Sequence, residues 1–471
     1  MNKNLQAAKY VFFDWFSALL TWTLFYLYRK VNEDPHIFQH WNAIFDDRKF
    51  WLGIIFIPLF WLMLYVMAGS YRRIYRKARL KELGQTFITV LIGVIFLFFV
   101  LILDDQVHDY RDYYESFVVL FSLQFGITYF FRLILTTRTV RKVHRGEIGF
   151  NTIIIGSNGN AENIYHSIIN QEISSGNKFV GFVNVHDRKN FKMSRHLPYL
   201  GNYRELNRIV QEKEVEEVII AIERSEKDTI QRIIIELEEA NVIIKVIPML
   251  QDIMFGTVKV DNVFHTPLIE ISPDLMPAWQ QYLKRIIDIF ASSMVLIFLS
   301  PLYLFTAIGV KLSSPGPVLF RQERIGFHGK PFYMYKFRSM YVDAEKDGPQ
   351  LSSKDDPRIT PFGKVIRKYR LDEIPQFFTV LKGQMSLVGP RPERQYYIDQ
   401  IMEKAPHYRL LLKVKPGITS WGQVKYGYAS TIDEMVERLK YDLLYLENMS
   451  LSMDFKIMIY TVLIILQGRG K

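Results

Sequence analysis

The chain has 471 residues, of which 49% are hydrophobic and 15% aromatic, a composition typical of a membrane protein with soluble parts. It contains no cysteine, which excludes disulfides, cysteine metal sites and cysteine nucleophiles. The formal net charge is +11, and the segment from Lys311 to Lys425 holds 21 Lys and Arg against 11 Asp and Glu. Because these cations alternate with Gly, Pro and carboxylates beside apolar runs, we expect lipid and nucleotide phosphates as partners and no nucleic acid.

Four apolar stretches come first, each close to the roughly 20 residues that span a bilayer core. They run over Tyr10–Tyr28, Phe50–Met67, Phe87–Leu103 and Phe117–Leu135. No cleavable signal peptide is evident. The pattern predicts an α-helical four-helix transmembrane bundle over residues 1–145.

The charges between these stretches predict their orientation. Lys and Arg crowd the connection after the second stretch and the exit of the fourth, whereas the connection after the third is acidic at Asp104, Asp105, Asp109 and Asp112. The positive-inside rule then places both ends of the bundle in the cytoplasm.

An alternating strand and helix pattern begins at Asn151 and predicts a Rossmann-like α/β domain over residues 146–265. The predicted elements are strands at 152–156, 179–185, 218–222 and 242–247 and helices at 161–170 and 227–240. The glycine turn from Gly156 to Ala161 lacks the second and third glycines of the dinucleotide fingerprint. A regulatory or assembly role is therefore favoured over nucleotide binding.

A linker over residues 266–283 precedes a fifth apolar run, Ile286–Val310, with Ser300 and Pro301 in its middle. Proline bends a helix, and the flanking cations Lys284, Arg285 and Lys311 favour the cytoplasm at both ends. The pattern predicts a re-entrant helix that opens the catalytic domain, 284–471. A fifth spanning helix is the alternative, and it would place the basic segment outside the cell.

Three further features of this final part are less specific. Arg285 and Asp288, three residues apart, are compatible with an ion pair at the membrane interface or with a simple surface pair. The polar stretch Asp343–Thr360 is typical of a loop that closes over a site. The apolar stretch Phe455–Leu466 is too short to span and is expected on the membrane surface or in the core.

Two adjacent carboxylates, Asp372 and Glu373, lie between arginines in a segment containing three prolines. Adjacent like charges are costly unless a cation or metal stabilises them. One carboxylate can attack phosphorus while the other holds a divalent metal, and arginines can bind the phosphate oxygens. The alternative is an ordinary helix start with acidic residues in its first turn.

The order of several motifs makes the chain similar to the bacterial sugar transferase family, the monotopic polyprenyl-phosphate hexose-1-phosphate transferases, over about Gln281 to Lys471. The motifs are Lys284-Arg285-Ile286-Ile287-Asp288, Ser300-Pro301, Ser314-Pro315-Gly316-Pro317, Arg321 to Gly326, Lys336 to Met340, Arg370 to Gln376, Gly383 to Glu393 and Lys415 to Thr419. The whole architecture resembles the large members that initiate capsule, exopolysaccharide or lipopolysaccharide O-antigen synthesis on the cytoplasmic face of the bacterial inner membrane.

The resemblance implies a role for each matched residue. Asp372 attacks the β-phosphate of a UDP-sugar, UMP leaves, and undecaprenyl phosphate accepts the phosphosugar from the aspartyl intermediate. Glu373 is tied to Mg²⁺, the expected cofactor. Residues matched to the phosphate site are Lys336, Arg338, Arg370 and Arg391, and Gln376 is expected to orient the dyad or the substrate. Family analogy also suggests a homodimer.

Some features leave alternatives open. Thr379 and the run Ser420-Trp421-Gly422-Gln423 depart from the usual family pattern, so glucose, galactose and N-acetylated sugars all remain possible substrates. The ten histidines show no metal-ligand spacing. A membrane-bound dehydratase or epimerase would need an intact Gly-x-Gly-x-x-Gly turn and a Tyr-x-x-x-Lys pair, and neither occurs after Gln281. A catalytically dead assembly scaffold is the non-enzymatic alternative.

Overall fold

The computed structural model describes residues 3–33, 46–102, 110–171, 173–185, 191–222, 227–237, 240, 242–247, 268–271, 275–346, 348, 350, 356–427 and 429–467. Chain contacts divide these residues into two compact units. The first comprises Met1–Leu200, Lys213–Ile222 and Lys245–Ile269, and the second Gly201–Glu212, Glu223–Ile244 and Glu270–Lys471. The predicted domain boundaries after residues 145, 265 and 283 remain predictions.

The N-terminal part consists of four long helices, as the apolar stretches predict. They are α1 (Lys3–Glu33), α2 (Arg48–Met67), α3 (Arg79–Leu97) and α4 (Tyr110–His144). Each is long and apolar enough to cross a membrane. Helix α3 continues into a π-helical turn, and the predicted acidic residues Asp104, Asp105 and Asp109 lie outside the described residues.

The helices pack through large side chains, and three buried charged residues form ion pairs between the helices. Trp61 and Tyr65 of α2 are fully buried against Val90 and Val94 of α3. Arg132 of α4 is also fully buried, and its guanidinium donates to the carboxylates of Asp14 (2.8 Å) and Glu82 (3.2 Å). Pairing is what makes a buried charge tolerable, because an unpaired one carries the full desolvation penalty.

A six-stranded sheet with helices follows, which confirms the predicted α/β domain. Its strands are β1 (Phe150–Ile155), β2 (Asn177–Asn184), β3 (Tyr199–Asn202), β4 (Glu217–Ile220), β5 (Ile243–Val246) and β6 (Ile269–Ile271), in the order β3-β2-β1-β4-β5-β6. Its helices are α5 (Gly159–Ile169), α6 (Leu206–Glu212) and α7 (Lys227–Leu237). Strand β1 pairs in parallel with both β2 and β4. Strands β3 and β6 were not predicted, because neither contains an apolar run.

The fifth apolar run forms two helices rather than one. Helix α8 (Ala278–Phe298) and helix α9 (Ser300–Ser313) meet at an angle of 63°. Pro301 occupies the first turn of α9, where its missing N–H costs nothing, and Ser300 Oγ donates to the carbonyl of Ile297 at 2.8 Å. The predicted break at Ser300-Pro301 is confirmed.

Short strands and helices form the rest of the chain. They are β7 (Leu319–Ile325), β8 (Pro331–Phe337), α10 (Pro361–Lys368), α11 (Gln376–Leu381), β9 (Ser386–Val388), α12 (Gln395–Lys404), β10 (Gly417–Thr419), α13 (Trp421–Lys425), α14 (Ile432–Glu447) and α15 (Leu451–Leu466). Strands β7 and β8 pair antiparallel, and β9 pairs in parallel with β10.

One apolar cluster fixes the position of the Asp-Glu segment. Val310 of α9, Phe337 of β8 and Ile366 of α10 are buried together with Ile374, which directly follows the two carboxylates. A fully buried side chain of this size stabilises a fold by about 1.5–3 kcal/mol. The carboxylates are thus attached to three packed elements.

Candidate active site

Asp372 and Glu373 lie on a tight turn between two helices. Thr360 caps α10 by accepting a hydrogen bond from the Gly363 N–H at 2.9 Å, and the helix ends before Arg370. Arg370 adopts the left-handed conformation with φ of 55°, which costs a non-glycine residue about 1–2 kcal/mol. A 3₁₀ turn, Leu371–Glu373, then carries the dyad. Because strained residues cluster at functional sites, the conformation of Arg370 makes this turn a candidate site.

Glu373 forms two ion pairs. Lys336 Nζ, from strand β8, donates to Oε1 at 2.9 Å, and Arg370 Nη1 donates to Oε2 at 3.4 Å. Asp372 is only 8% exposed. The structure therefore brings together four of the predicted site residues, Lys336, Arg370, Asp372 and Glu373, and their roles stay predictions.

The two carboxyl groups have opposite pKa shifts. Burial, reinforced by the negative charge of Glu373, raises the pKa of Asp372 to about 6, although Lys336 opposes the shift. Burial also acts to raise the pKa of Glu373, but the charges of Lys336, Arg370 and Arg391 outweigh it and lower that pKa below its ordinary value. Glu373 is therefore the anionic partner of the cations, and Asp372 is a poorly solvated carboxylate beside it.

The dyad fits Mg²⁺ by the chemistry of its donors. Mg²⁺ binds oxygen ligands and is usually held by one or two carboxylates plus substrate phosphates. Glu373 and Asp372 supply such oxygens from adjacent positions. Since both oxygens of Glu373 already contact cations, a metal held there shares this carboxylate with Lys336 and Arg370.

The other predicted phosphate-site residues are placed differently. Arg338 is buried, and its guanidinium donates to the carbonyls of Pro315 (2.7 Å) and Ser314 (2.7 Å). Gly316 in the same loop has φ of 124°, and a Cβ there would overlap that guanidinium. In this structure Arg338 holds the loop after α9, and its predicted role toward phosphate stays a prediction.

Arg391 and Gln376 lie on opposite sides of strand β9 in the sequence. The charge of Arg391 acts on Glu373, and its Nε lies 3.7 Å from Oε1 of Glu393. Gln376 is buried at the start of α11, and no hydrogen bond among the described residues links it to the dyad. Its orienting role stays a prediction.

A buried network behind Arg391 was missed by the sequence analysis. Glu393 accepts hydrogen bonds from Arg438 Nη2 (2.7 Å) and Arg324 Nη1 (3.2 Å). Burial acts to raise the pKa of Glu393, but Arg438, Arg324 and Arg391 keep it below the ordinary value. The sequence near Arg391 shows only the carboxylate Glu393 directly after Pro390-Arg391-Pro392. Its partner Arg438 lies 45 residues farther along the chain, so the sequence did not predict the ion pair. This network restrains the backbone that carries Arg391.

The three polar residues predicted for the re-entrant helix anchor α8 to the segment after the dyad. Arg285 donates to the carbonyls of Val380 (2.7 Å) and Leu381 (2.9 Å). Asp288 accepts from the Leu387 N–H at 2.9 Å. Among the described residues Arg285 and Asp288 do not pair with each other, because folding brings backbone groups of α11 and β9 within reach of each side chain.

Lys284 completes this anchor. Its Nζ donates to the Val388 carbonyl at 2.9 Å and to Asp454 of α15 at 2.6 Å. Helices α8 and α15 are thereby joined to strand β9. The hydrogen bonds of α8 and the apolar contacts of α9 therefore connect the bent helix pair to the segments on both sides of the active-site turn.

Comparison with protein families gives two matches. Residues 279–468 match the family described as bacterial sugar transferase, and residues 67–248 match the CoA-binding domain family. The first match contains the dyad, its cations and the bent helix pair. The second includes α3, α4 and most of the α/β domain.

Three curated relatives show how far the similarity extends. The UDP-N-acetylgalactosamine-undecaprenyl-phosphate N-acetylgalactosaminephosphotransferase of Aeromonas hydrophila is 42% identical over 224 residues, which is 48% of this chain and 52% of the relative. The UDP-glucose:undecaprenyl-phosphate glucose-1-phosphate transferase of Klebsiella pneumoniae is 35% identical over 266 residues, 56% of this chain and 57% of the relative. The chain thus spans about half the length of these two relatives.

A third relative is matched over most of its length. The UDP-glucose:undecaprenyl-phosphate glucose-1-phosphate transferase of Caulobacter vibrioides is 37% identical over 200 residues, 42% of this chain and 72% of the relative.

Proposed function

The chain belongs to the bacterial sugar transferase family, and from this premise we propose that it transfers a sugar 1-phosphate from a UDP-sugar to undecaprenyl phosphate and releases UMP. The observation that carries the proposal is the pair of buried Asp372 and half-buried Glu373, held beside Lys336 and Arg370. The substrates for which the three relatives are named support the same substrate classes for this chain.

The first step forms a covalent intermediate. A carboxylate oxygen of Asp372 attacks the β-phosphorus of the UDP-sugar, and the bond from that phosphorus to the bridging oxygen breaks, so that UMP leaves with the electron pair. Asp372 suits this role because burial leaves its carboxylate poorly solvated. Lys336 and Arg370 stabilise the charge on the phosphate oxygens.

The second step regenerates the enzyme. A phosphate oxygen of undecaprenyl phosphate attacks the phosphorus of the phosphosugar-aspartyl group, and the Asp372 carboxylate leaves. Glu373 would hold Mg²⁺, which when bound would supply positive charge for the diphosphate of the UDP-sugar in the first step. The cations around Glu373 keep it ionised for that task.

The lipid acceptor requires a site at a membrane. Large apolar side chains are more than half exposed in each unit, Phe56 on α2 of the first, and Phe290, Phe305 and Ile459 on α8, α9 and α15 of the second, and lipid tails would cover them. We propose that α1–α4 span the inner membrane, that α8 and α9 form the re-entrant helix, and that the catalytic part faces the cytoplasm.

The pathway is part of the same proposal. Transfer to undecaprenyl phosphate is the first membrane step in the synthesis of an exopolysaccharide, capsule or O-antigen. The α/β domain contributes regulation or assembly. The sugar is open, because relatives named for N-acetylgalactosamine and for glucose are both similar to this chain.

The decisive measurement is nucleotide release by the purified chain with Mg²⁺, undecaprenyl phosphate and a panel of UDP-sugars. We expect UMP with one or a few sugars, and we expect Asp372→Asn to abolish it. Asp399→Asn, at an exposed aspartate of α12, is the matched control and should retain full activity. Release of UDP would contradict the proposal, because it would mean ordinary glycosyl transfer.

The covalent step has its own measurement. Without undecaprenyl phosphate, the chain mixed with UDP-sugar should gain the mass of one phosphosugar on the peptide that contains Asp372. An unmodified peptide despite UMP release would disprove the aspartyl intermediate while leaving the overall transfer intact.

A further inference from the structure

Three side chains with metal-binding chemistry meet in the α/β domain. Glu162 and His166 lie four residues apart on α5, and therefore on one face of that helix. His196 follows a 3₁₀ turn, Lys192–Arg195, that precedes β3. Its Nε2 lies 3.2 Å from Oε1 of Glu162, and its ring centroid lies 4.6 Å from that of His166.

Helix α5 and the segment before β3, which carry these side chains, are packed into the same core. Ala161, Ile164 and Ile168 bury the opposite face of α5, and Met193 and Leu197 belong to the same apolar cluster. Because both segments are packed into one core, the three side chains project from a fixed frame. His166 is exposed and the other two are half-buried, so solvent and ions have access.

A simple ion pair does not account for the whole cluster. It explains the contact between His196 and Glu162, but it leaves the second imidazole without a role. His166 packs edge-to-face on His196 with an interplanar angle of 83°. One ligand atom from each of the three residues lies within 4.8 Å of the others.

We propose that Glu162, His166 and His196 bind a divalent transition metal, with Zn²⁺ the first candidate. Two imidazoles and one carboxylate are a donor set that zinc uses in sites with three protein ligands and one open position. Imidazole nitrogen favours zinc and its neighbours over Mg²⁺ or Ca²⁺. The site is therefore chemically distinct from the oxygen-rich dyad at Asp372.

The distance between the Glu162 and His196 ligand atoms is close to the distance expected in a site with bound zinc. Bonds of about 2.0–2.2 Å in tetrahedral geometry place ligand atoms about 3.3 Å apart. The Glu162–His196 distance already has this value, and rotation of the exposed His166 side chain brings in the third ligand. Metal binding would tie α5 to the segment before β3 and leave one position for water or an outside ligand.

The test uses the full chain in detergent, stripped with EDTA and titrated with ZnCl₂ by calorimetry. We expect one Zn²⁺ per chain. His166→Ala and His196→Ala should each weaken binding at least about tenfold, since even the loss of a supporting contact costs about 10–100-fold. His407→Ala, at an exposed histidine of another segment, is the matched control and should bind as the wild type does.

Two further readouts keep the proposal falsifiable. Co²⁺ in place of zinc should give visible absorption of a tetrahedral site, and the band should vanish in Glu162→Gln, a variant of nearly unchanged shape. Zinc stoichiometry near zero in the wild type, or equal affinity in the wild type and the three ligand variants, would overturn the site. Binding is measured directly, so the outcome is independent of UMP release.

Discussion

Asp372 and Glu373 are neighbours in the chain, yet their surroundings give them different chemical properties. Glu373 forms ion pairs with Lys336 and Arg370, while Asp372 is buried and forms no ion pair within 4 Å among the residues that the structure describes. The sequence shows the pair and the arginine beside it. It does not show which of the two carboxylates forms an ion pair with Lys336, because Lys336 lies 37 residues before Glu373, on strand β8.

Neutralising the two carboxylates should change thermal stability in opposite directions. The folded pKa of Asp372 exceeds its ordinary value of 3.8, so ionisation destabilises the fold increasingly as pH rises toward about 6. The folded pKa of Glu373 lies below 4.5, so its charge adds stability that is present above that pH and lost in acid. At pH 7.5 without ligands, we expect Asp372→Asn to raise the Tm and Glu373→Gln to lower it.

Scanning fluorimetry of the two variants in the same detergent measures this difference. Both variants should also lose UMP release, which separates stability from activity. Shifts of the same sign for both variants would show that the carboxylates do not have the assigned environments.

The raised pKa of Asp372 also predicts the pH dependence of the first step. The nucleophile must be ionised, so the rate of UMP formation should fall as pH drops through about 6. An aspartate with the ordinary value of 3.8 would keep the rate constant down to about pH 4. Single-turnover UMP formation without undecaprenyl phosphate isolates this step, and an unchanged rate at pH 5 would refute the assignment.

At the scale of elements, the helix break and the anchors of α8 act together. Proline at the start of α9 allows the 63° bend, and Lys284, Arg285 and Asp288 attach α8 to α11 and β9. The bend was predictable from Ser300-Pro301, since proline restricts its own backbone and that of the preceding residue. The anchors were not, because their partners, backbone groups and the Asp454 side chain, lie 95 to 170 residues away.

Removing the Arg285 guanidinium should weaken this attachment. Arg285→Met loses two charge-assisted hydrogen bonds, each worth about 1.5–3 kcal/mol, to the carbonyls that end α11. We expect a Tm lowered by several degrees and a reduced kcat for UMP release. Arg208→Met is the matched control, because the ion pairs of Arg208 among the described residues are exposed ones with Glu205 and Glu212. Its stability should change by no more than about 0.5 kcal/mol. An unchanged Tm in Arg285→Met would show that the anchor contributes nothing.

At the scale of the whole molecule, the absence of cysteine makes the proposed membrane topology directly measurable. The positive-inside rule puts the end of α1 outside and the catalytic part inside. Single cysteines can report this at two exposed positions, Asn32 of α1 and Glu437 of α14.

We expect a membrane-impermeant maleimide to label Asn32→Cys in intact spheroplasts and Glu437→Cys only after permeabilisation. The wild type has no thiol and serves as the blank. Labelling of Glu437→Cys from outside would support the alternative in which the fifth apolar run spans the membrane, and it would contradict a cytoplasmic UDP-sugar site.

The sequence by itself determined the features that depend on neighbouring residues. Apolar length predicted the four helices, apolar runs predicted the main strands of the parallel sheet, and Ser300-Pro301 predicted the bend. Adjacent carboxylates among arginines, together with the order of the motifs, predicted the family that the comparisons confirm.

Only the tertiary structure decided which distant groups meet. It turned Arg338 toward the carbonyls after α9, joined Glu393 to Arg438, and placed His196 beside Glu162. A measured zinc site there would correct the prediction that the histidines have no metal-ligand spacing, because Glu162 and His166 have such a spacing on one helix face. Local backbone preferences act over a few residues, whereas burial and ion pairing depend on packing that brings distant parts of the chain together.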